Sequence, residues 1–259
     1  MANNTIANNR HIQILNALYT QGTVSVLHLE ELLQVSKVTI RRDLDHLDEK
    51  GLLVRTHGGA ALLPNQDIKL NDEDYAKKNI LHVQEKRRIG AKCASLVKAQ
   101  DILFINSGST TNFMLQAISG KQVKVITNNA ASLESVIDDK VEMLFLGGQH
   151  LKEPRSFIGE FALATLRNIY STHTILGTNG ISLEKGLTTT VYQECSINQA
   201  MIQNTHGKVI VLADSTKMGH ISNFISAPLE SIDIVITDDK CPPEFKASLE
   251  KSGIEVIIA

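Results

Sequence analysis

The chain has 259 residues, with 26 Lys+Arg against 28 Asp+Glu and a formal net charge of −2, which excludes a protein that grips an anionic polymer over its whole surface. At 42% hydrophobic and 21% charged residues it can bury a proper core, so neither disorder nor a fibrous repeat is expected. The opening "MANNTIANNR" carries no apolar run of signal-peptide length, no later run approaches the roughly 20 apolar residues that span a bilayer, and Cys93, Cys195 and Cys241 show no metal-ligand spacing. These features predict a cytoplasmic protein with reduced thiols and no membrane partner, metal or cofactor.

Before residue 62 the apolar pattern is helical. Ile12, Leu15, Leu18 and Tyr19 make one face of a first helix, which Gly22 ends. A short extended "TVSV" follows, then a second helix carrying Leu29, Leu32 and Leu33, with Ser25 as its N-cap. Ser36 stands before a third helix, on which Ile40, Leu44 and Leu47 recur at four and three residues and so turn inward together. Val38, Arg42 and Asp45 then point away from the core, with Lys37, Thr39 and Arg41 on the flanks of the first turns. After Gly51, "LLVRTHGGA" reads as strand, turn and strand, with Arg55 and His57 beside paired glycines. Three helices and a hairpin predict a winged helix-turn-helix over residues 1–62.

That fold gives the adjacent arginines a task. A recognition helix enters the major groove of double-stranded DNA with its N-terminal residues against base edges, where Arg41 and Arg42 place forked donors. Arg55 in the wing would reach the neighbouring phosphates. The alternative is a solvated face on which these arginines pair with Asp43, Asp45 and Asp48. Asp43, on the inner flank, is expected to orient an arginine rather than to touch DNA.

The polar "LPNQDIKLNDEDYAKKN" predicts a linker over residues 63–76, with the domain boundary between Pro64 and Asp74. Beyond it the rhythm changes. "DILFIN", "VKVIT", "VEMLFLGG", "THTILGT", "KVIVLAD", "IDIVITD" and "IEVIIA" are continuous apolar runs, most of them separated by helical patterns. Continuous rather than alternating runs fit strands covered on both faces, hence a mainly parallel sheet in an α/β domain over residues 77–259.

Within this domain Ser107, Gly108, Ser109, Thr110 and Thr111 lie between a buried strand and a helix bearing Phe113, Met114, Ala117 and Ile118. Free backbone N–H groups and hydroxyls at such a point suit a phosphate monoester, although on their own they read equally as a helix cap. The Walker lysine and the Rossmann glycine spacing are absent, which disfavours nucleoside triphosphates and NAD. Further polar groups follow later strands: Thr127, Asn128 and Asn129; Gly147 and Gly148; Thr178, Asn179 and Gly180; Asp214, Ser215, Thr216 and Lys217. Strand ends of this kind predict a pocket for something small, polar and anionic.

The residues from Gly22 to Ala60 resemble the DNA-binding domain of the DeoR family of bacterial sugar-metabolism repressors, whose signature centres on V-S-x-x-T-I-R-R-D-L and ends in R-x-H-G-G-A. Val35, Ser36, Thr39, Ile40, Arg41, Arg42, Asp43 and Leu44 match the core of that signature, and Arg55, His57, Gly58, Gly59 and Ala60 match the wing. By this resemblance Ser36 and Thr39 position the helix while Arg41 and Arg42 contact phosphate or bases. "INSGSTT", "TNN", "LGG", the R-S-x-x-G of Arg155 to Gly159, "GTNGI", "GLTT" and "LADSTKMG" are similar to the family's effector-domain motifs, so the resemblance covers nearly the whole chain. It implies a domain like the ribose-5-phosphate isomerases, holding a phosphorylated sugar that loosens the grip on operator DNA. Carried over, Ser107 to Thr111 hold the phosphate, Asn128 and Asn179 meet sugar hydroxyls, Lys217 supplies charge, and Glu194 matches the glutamate that opens the helix after "GLTT". Two departures leave the sugar open: many relatives have aspartate where Asn179 stands and lysine where Asn198 stands.

A repressor working as a homodimer or homotetramer is thus the leading expectation. A sugar-phosphate isomerase fused to a DNA-binding domain is the alternative. It is disfavoured because Gly177, Thr178, Asn179 and Gly180 stand where the isomerases read G-A-D-E, and asparagine cannot take up the substrate proton; Glu194 and Asp214 remain as candidate bases. A third reading makes the second domain a dimerisation scaffold that senses nothing, and it leaves the Ser-Gly-Ser-Thr-Thr loop and Lys217 as coincidence.

Overall fold

Seven apolar runs become seven parallel strands because alternate side chains face opposite sides of one sheet and both sides are covered. In the computed structural model, which describes residues 10–11, 13–14, 17–18, 22–49, 53–61, 81–134 and 138–259, the chain divides into two units, residues 1–70 and 71–259.

In the first unit, residues 10, 11, 13, 14, 17 and 18 are helical, with Ile14 and Leu18 fully buried. Ile12, Leu15 and Tyr19, read above as part of the same face, lie outside the described residues, as does the linker at 63–76. Strand β1 (Thr23–Ser25) leads into α1 (Val26–Leu33), where Ser25 Oγ accepts from the His28 amide as N-cap. Leu29 is buried, but Leu32 is exposed, because on this short helix the inward stripe runs through Val26 and Leu29. Gln34 closes α1 in a left-handed conformation (φ 53°). Helix α2 (Lys37–Glu49) follows, burying Ile40, Asp43, Leu44 and Leu47 while Val38, Arg42 and Asp45 stay exposed. The wing is β2 (Val54–Thr56) and β3 (Gly59–Ala61), and β3 lies between β1 and β2 in an antiparallel sheet. A Cβ on Gly59 would sit 1.8 Å from the Val24 carbonyl oxygen, so only glycine lets β3 lie against β1 there.

Among the described residues the second unit begins with α3 (Val83–Leu96), followed by β4 (Ile102–Ile105), α4 (Ser109–Ala117), β5 (Val123–Thr127) and β6 (Val141–Phe145). A hairpin, β7 (Gln149–Leu151) and β8 (Ser156–Ile158), precedes α5 (Glu160–Leu166) and β9 (Ser171–Gly177). Then come β10 (Gly180–Ser182), β11 (Gly186–Thr189), α6 (Tyr192–Gln203), β12 (Thr205–Leu212), β13 (Phe224–Ala227), β14 (Ile234–Thr237), α7 (Pro243–Lys251) and β15 (Glu255–Ile258). The main sheet runs β15-β14-β12-β9-β4-β5-β6, every pair parallel.

Phe104, Leu176, Val211 and Val235 belong to the core on one face, and Leu103, Ile105, Ile175, Ile210 and Ile236 to the core on the other. Each such side chain contributes about 1.5–3 kcal/mol of hydrophobic stabilisation. Between β9 and β4 the direction of strand addition reverses: the chain goes from β4 to β5 and β6 on one side and from β9 to β12 and β14 on the other. The loops leaving these two strands therefore diverge, opening a crevice at their carboxyl ends. The small antiparallel sheet β10-β11-β13 stands as a wall of that crevice.

Candidate functional site

Two sets of candidate side chains lie on the two units. On α2, Ser36 Oγ accepts from the Thr39 amide at 3.4 Å and lies 3.1 Å from the Thr39 hydroxyl, which fixes the start of the helix. Lys37 reaches Glu30 of α1 at 3.6 Å. Arg41 and Arg42 are exposed and, among the described residues, have no side-chain hydrogen bond or ion pair.

Of the three acids named above as partners, Asp43 and Asp45 are engaged elsewhere, while the exposed Asp48 pairs with neither arginine. Asp43 is 6% exposed and binds Arg10 through both carboxylate oxygens and His11 at 2.9 Å, so the arginine it orients is Arg10. Burial pushes its carboxyl up, but the Arg10 and His11 hydrogen bonds and their charges hold it below the usual range. Asp45 pairs with Arg55 at 2.8 Å. His57 is exposed in the wing turn.

In the second unit a cleft of about 750 Å³, counted with its open mouth, lies at the crevice. Ser107, Gly108, Ser109 and Thr110 enter it after β4, Thr178 and Asn179 after β9, Asp214 and Lys217 after β12, and Glu194 and Asn198 from α6. Pro154, at the tip of the β7–β8 hairpin, closes one side. The first amides of α4 lack intrahelical acceptors by construction and carry the positive end of the helix dipole.

Lys86, which the sequence reading missed, lines the same cleft and is only 4% exposed. A signal for it exists: Val83, Lys86, Ile89, Gly90 and Cys93 share the inward face of α3, and a lysine among such residues calls for a charged partner. Asp214 supplies one. Burial pushes its carboxyl up, but Lys217 and then Lys86 draw it below the usual range, helped by hydrogen bonds from Thr216. Two ammonium groups thus share one carboxylate in a partly desolvated cleft.

The remaining sequence-derived candidates lie elsewhere. Thr111 is fully buried and donates its hydroxyl to the carbonyls of Asn106 (2.9 Å) and Gly108 (3.0 Å), locking the loop instead of lining the cleft. Asn128 accepts from the Ser107 amide at 2.9 Å and donates to the Phe157 carbonyl at 3.2 Å, behind that loop. Gly148 adopts φ 125°, and a Cβ there would meet the Ile158 carbonyl at 2.4 Å, so its place is in hairpin packing. Arg155, at φ 64°, accepts through its carbonyl from the Ala130 amide and the Ser107 hydroxyl.

Asn179 accepts from Thr189 Oγ1 at 3.1 Å at the edge of the cleft. Deeper, Asn106 donates to Asn198 at 3.1 Å, and Asn198 donates to Ser226 at 2.7 Å. The floor is therefore a neutral amide relay with its charges gathered above it. Among the described residues, no helix is long and apolar enough to cross a membrane.

Residues 10–66 match the DeoR-like helix-turn-helix domain, and residues 81–239 match the DeoR C terminal sensor domain. The chain is 32% identical to the HTH-type transcriptional repressor GlcR of Bacillus subtilis over 96% of its own length and 95% of that protein's. It is 31% identical to the lactose phosphotransferase system repressor of Lactococcus lactis, covering 90% of this chain and 91% of that one. Against solved structures, ribose 5-phosphate isomerase A from Neisseria gonorrhoeae aligns at 16% identity over 56% of this chain and 55% of its own, with a TM-score of 0.38, a likeness too partial to carry function across.

Proposed function

Since the chain belongs to the DeoR family of helix-turn-helix transcriptional regulators, we propose that it represses a carbohydrate-utilisation operon in the cytoplasm and is released from its operator by a phosphorylated sugar bound in the cleft. Residues 1–62 serve as the DNA-reading part, residues 63–76 as the linker, and residues 77–259 as the sensing and oligomerising part. Arg41 and Arg42 face base edges or phosphates, with Ser36, Lys37, Thr39, Arg55 and His57 around them.

The observation that carries the sensing half is the convergence of Lys86, Lys217 and the first turn of α4 on one cleft. A phosphate monoester brings about −1.5 to −2 charges and three acceptor oxygens, which match free helix amides, the Ser109 and Thr110 hydroxyls and two ammonium groups. Asn179 and Glu194 are placed to meet hydroxyls of the sugar. The lactose phosphotransferase system repressor among the relatives supports a carbohydrate context. Isomerase chemistry is disfavoured because Asn179 stands where the base is required.

Thermal melting of the full chain against a panel of sugars and their phosphates tests this reading. A phosphorylated sugar, and not its parent sugar, should raise the melting temperature and weaken binding to an operator duplex. Equal effects from both forms, or turnover of the phosphosugar, would overturn it.

A further inference from the structure

One guanidinium joins three elements of the winged unit. Arg55, on β2, donates Nε to Asp45 Oδ1 on α2 at 2.8 Å and Nη1 to the Gly59 carbonyl on β3 at 2.5 Å. Asp45 lies on the outward side of α2 with Val38 and Arg42, and its side chain is 60% exposed. The side chain of Arg55 is only 27% exposed.

A carboxylate on that side is an electrostatic oddity. The face displaying Arg41 and Arg42 is the one that meets a polyanion, and a bare negative charge one turn along opposes the approach. Its presence makes sense if the charge is spent within the protein. The two Arg55 donors used here point at α2 and β3, and the planar fork spans both acceptors at once, which a single ammonium cannot do.

We propose that Arg55 is a positioning residue and not chiefly a phosphate ligand: with Asp45 it braces the wing against the recognition helix and so fixes the angle between the two parts that meet DNA. The proposal rests on the assignment of α2 and the wing as the DNA-binding face. Pairing of β3 with β1 and the Val26 amide, which donates to the Gly58 carbonyl at 2.8 Å, hold the base of the wing to the unit, but neither reaches α2. Loss of the brace frees the angle without removing a buried group.

The test uses the full chain and a DNA duplex that the wild-type protein enriches from a random-sequence pool. Removing a negative charge from a DNA-facing surface tightens binding on electrostatic grounds alone, so the brace predicts the opposite sign. Asp45→Asn should weaken binding about fivefold, as befits an exposed ion pair. Arg55→Lys, which keeps the charge but loses the fork, should weaken it as much. The double variant should be no weaker than either single one, because both break the same contact. The slope of affinity against salt should stay at the wild-type value, whereas loss of a phosphate contact lowers it by about one.

Tighter binding by Asp45→Asn, wild-type affinity in Arg55→Lys, or full additivity in the double variant would each overturn the brace. If the wild-type chain enriches no duplex, the DNA-binding face itself is wrong, and the brace falls with it.

Discussion

Arg41 and Arg42 lie in water while the next residue, Asp43, is buried, and this contrast divides the labour on α2. The arginines reach outward, and the aspartate fixes the helix to Arg10 and His11 behind it. Replacing Arg41 or Arg42 by Ala should cost about 1–3 kcal/mol of operator affinity if the lost contact is to a base, measured by titration at fixed salt. For Asp43 the sign with pH follows from its depressed carboxyl. Its stabilisation is fully present above the ordinary aspartate pKa of about 4 and is lost as pH falls through the lower folded value. Asp43→Asn should therefore melt below wild type at neutral pH, and the gap should close progressively in acid. At this scale the arginines were legible because a helix start and a spacing of apolar residues suffice to place them. Lys86 was not singled out, because its importance depends on what α3 packs against, and Asp214 lies far from it in the chain.

At the scale of elements, α3 and α4 pack closely. A Cβ on Gly90 would lie 2.7 Å from the Met114 amide nitrogen, so the two helices touch through backbone. Gly90→Ala should destabilise the second unit by about 1–3 kcal/mol, read by thermal or urea melting, since backbone cannot yield as a flexible side chain would. Lys86, one turn before Gly90 on α3, lines the cleft together with Ser109 and Thr110 of α4, so the variant should also weaken phosphosugar binding. The seven strands of the main sheet were legible because each is a run of mostly apolar residues, the inner ones buried on both faces. The β7–β8 hairpin and the β10-β11-β13 sheet were not, since segments such as "QHL" and "GLTT" are short and mix polar with apolar residues, so they show neither an unbroken apolar run nor a clear period. Consequently Ser226 was not foreseen in the cleft, Thr188 and Thr189 entered only as part of the "GLTT" motif, and the relay from Asn106 through Asn198 was not foreseen.

At the scale of the whole molecule, sensing and DNA binding must be linked by differential affinity: a tenfold loss of operator affinity requires about 1.4 kcal/mol of coupling. Lys217→Ala and Thr110→Val should lose the response to the sugar phosphate, with operator affinity still set by the winged unit, in matched titrations with and without ligand. The proposed homo-oligomer would read repeated half-sites and so supply the specificity that one small winged unit lacks. The reversal of strand order between β4 and β9 bears on how such a molecule is made. Leu103 pairs with His173, so the strand carrying the phosphate loop waits for a neighbour synthesised much later, and Lys217 emerges from the ribosome later still. A nascent chain therefore owns the phosphate loop long before it owns a cleft. On the function proposed above, a sugar phosphate would have nothing complete to bind until translation has passed the β12 loop, so it would act on finished molecules and could not guide the early folding of new ones.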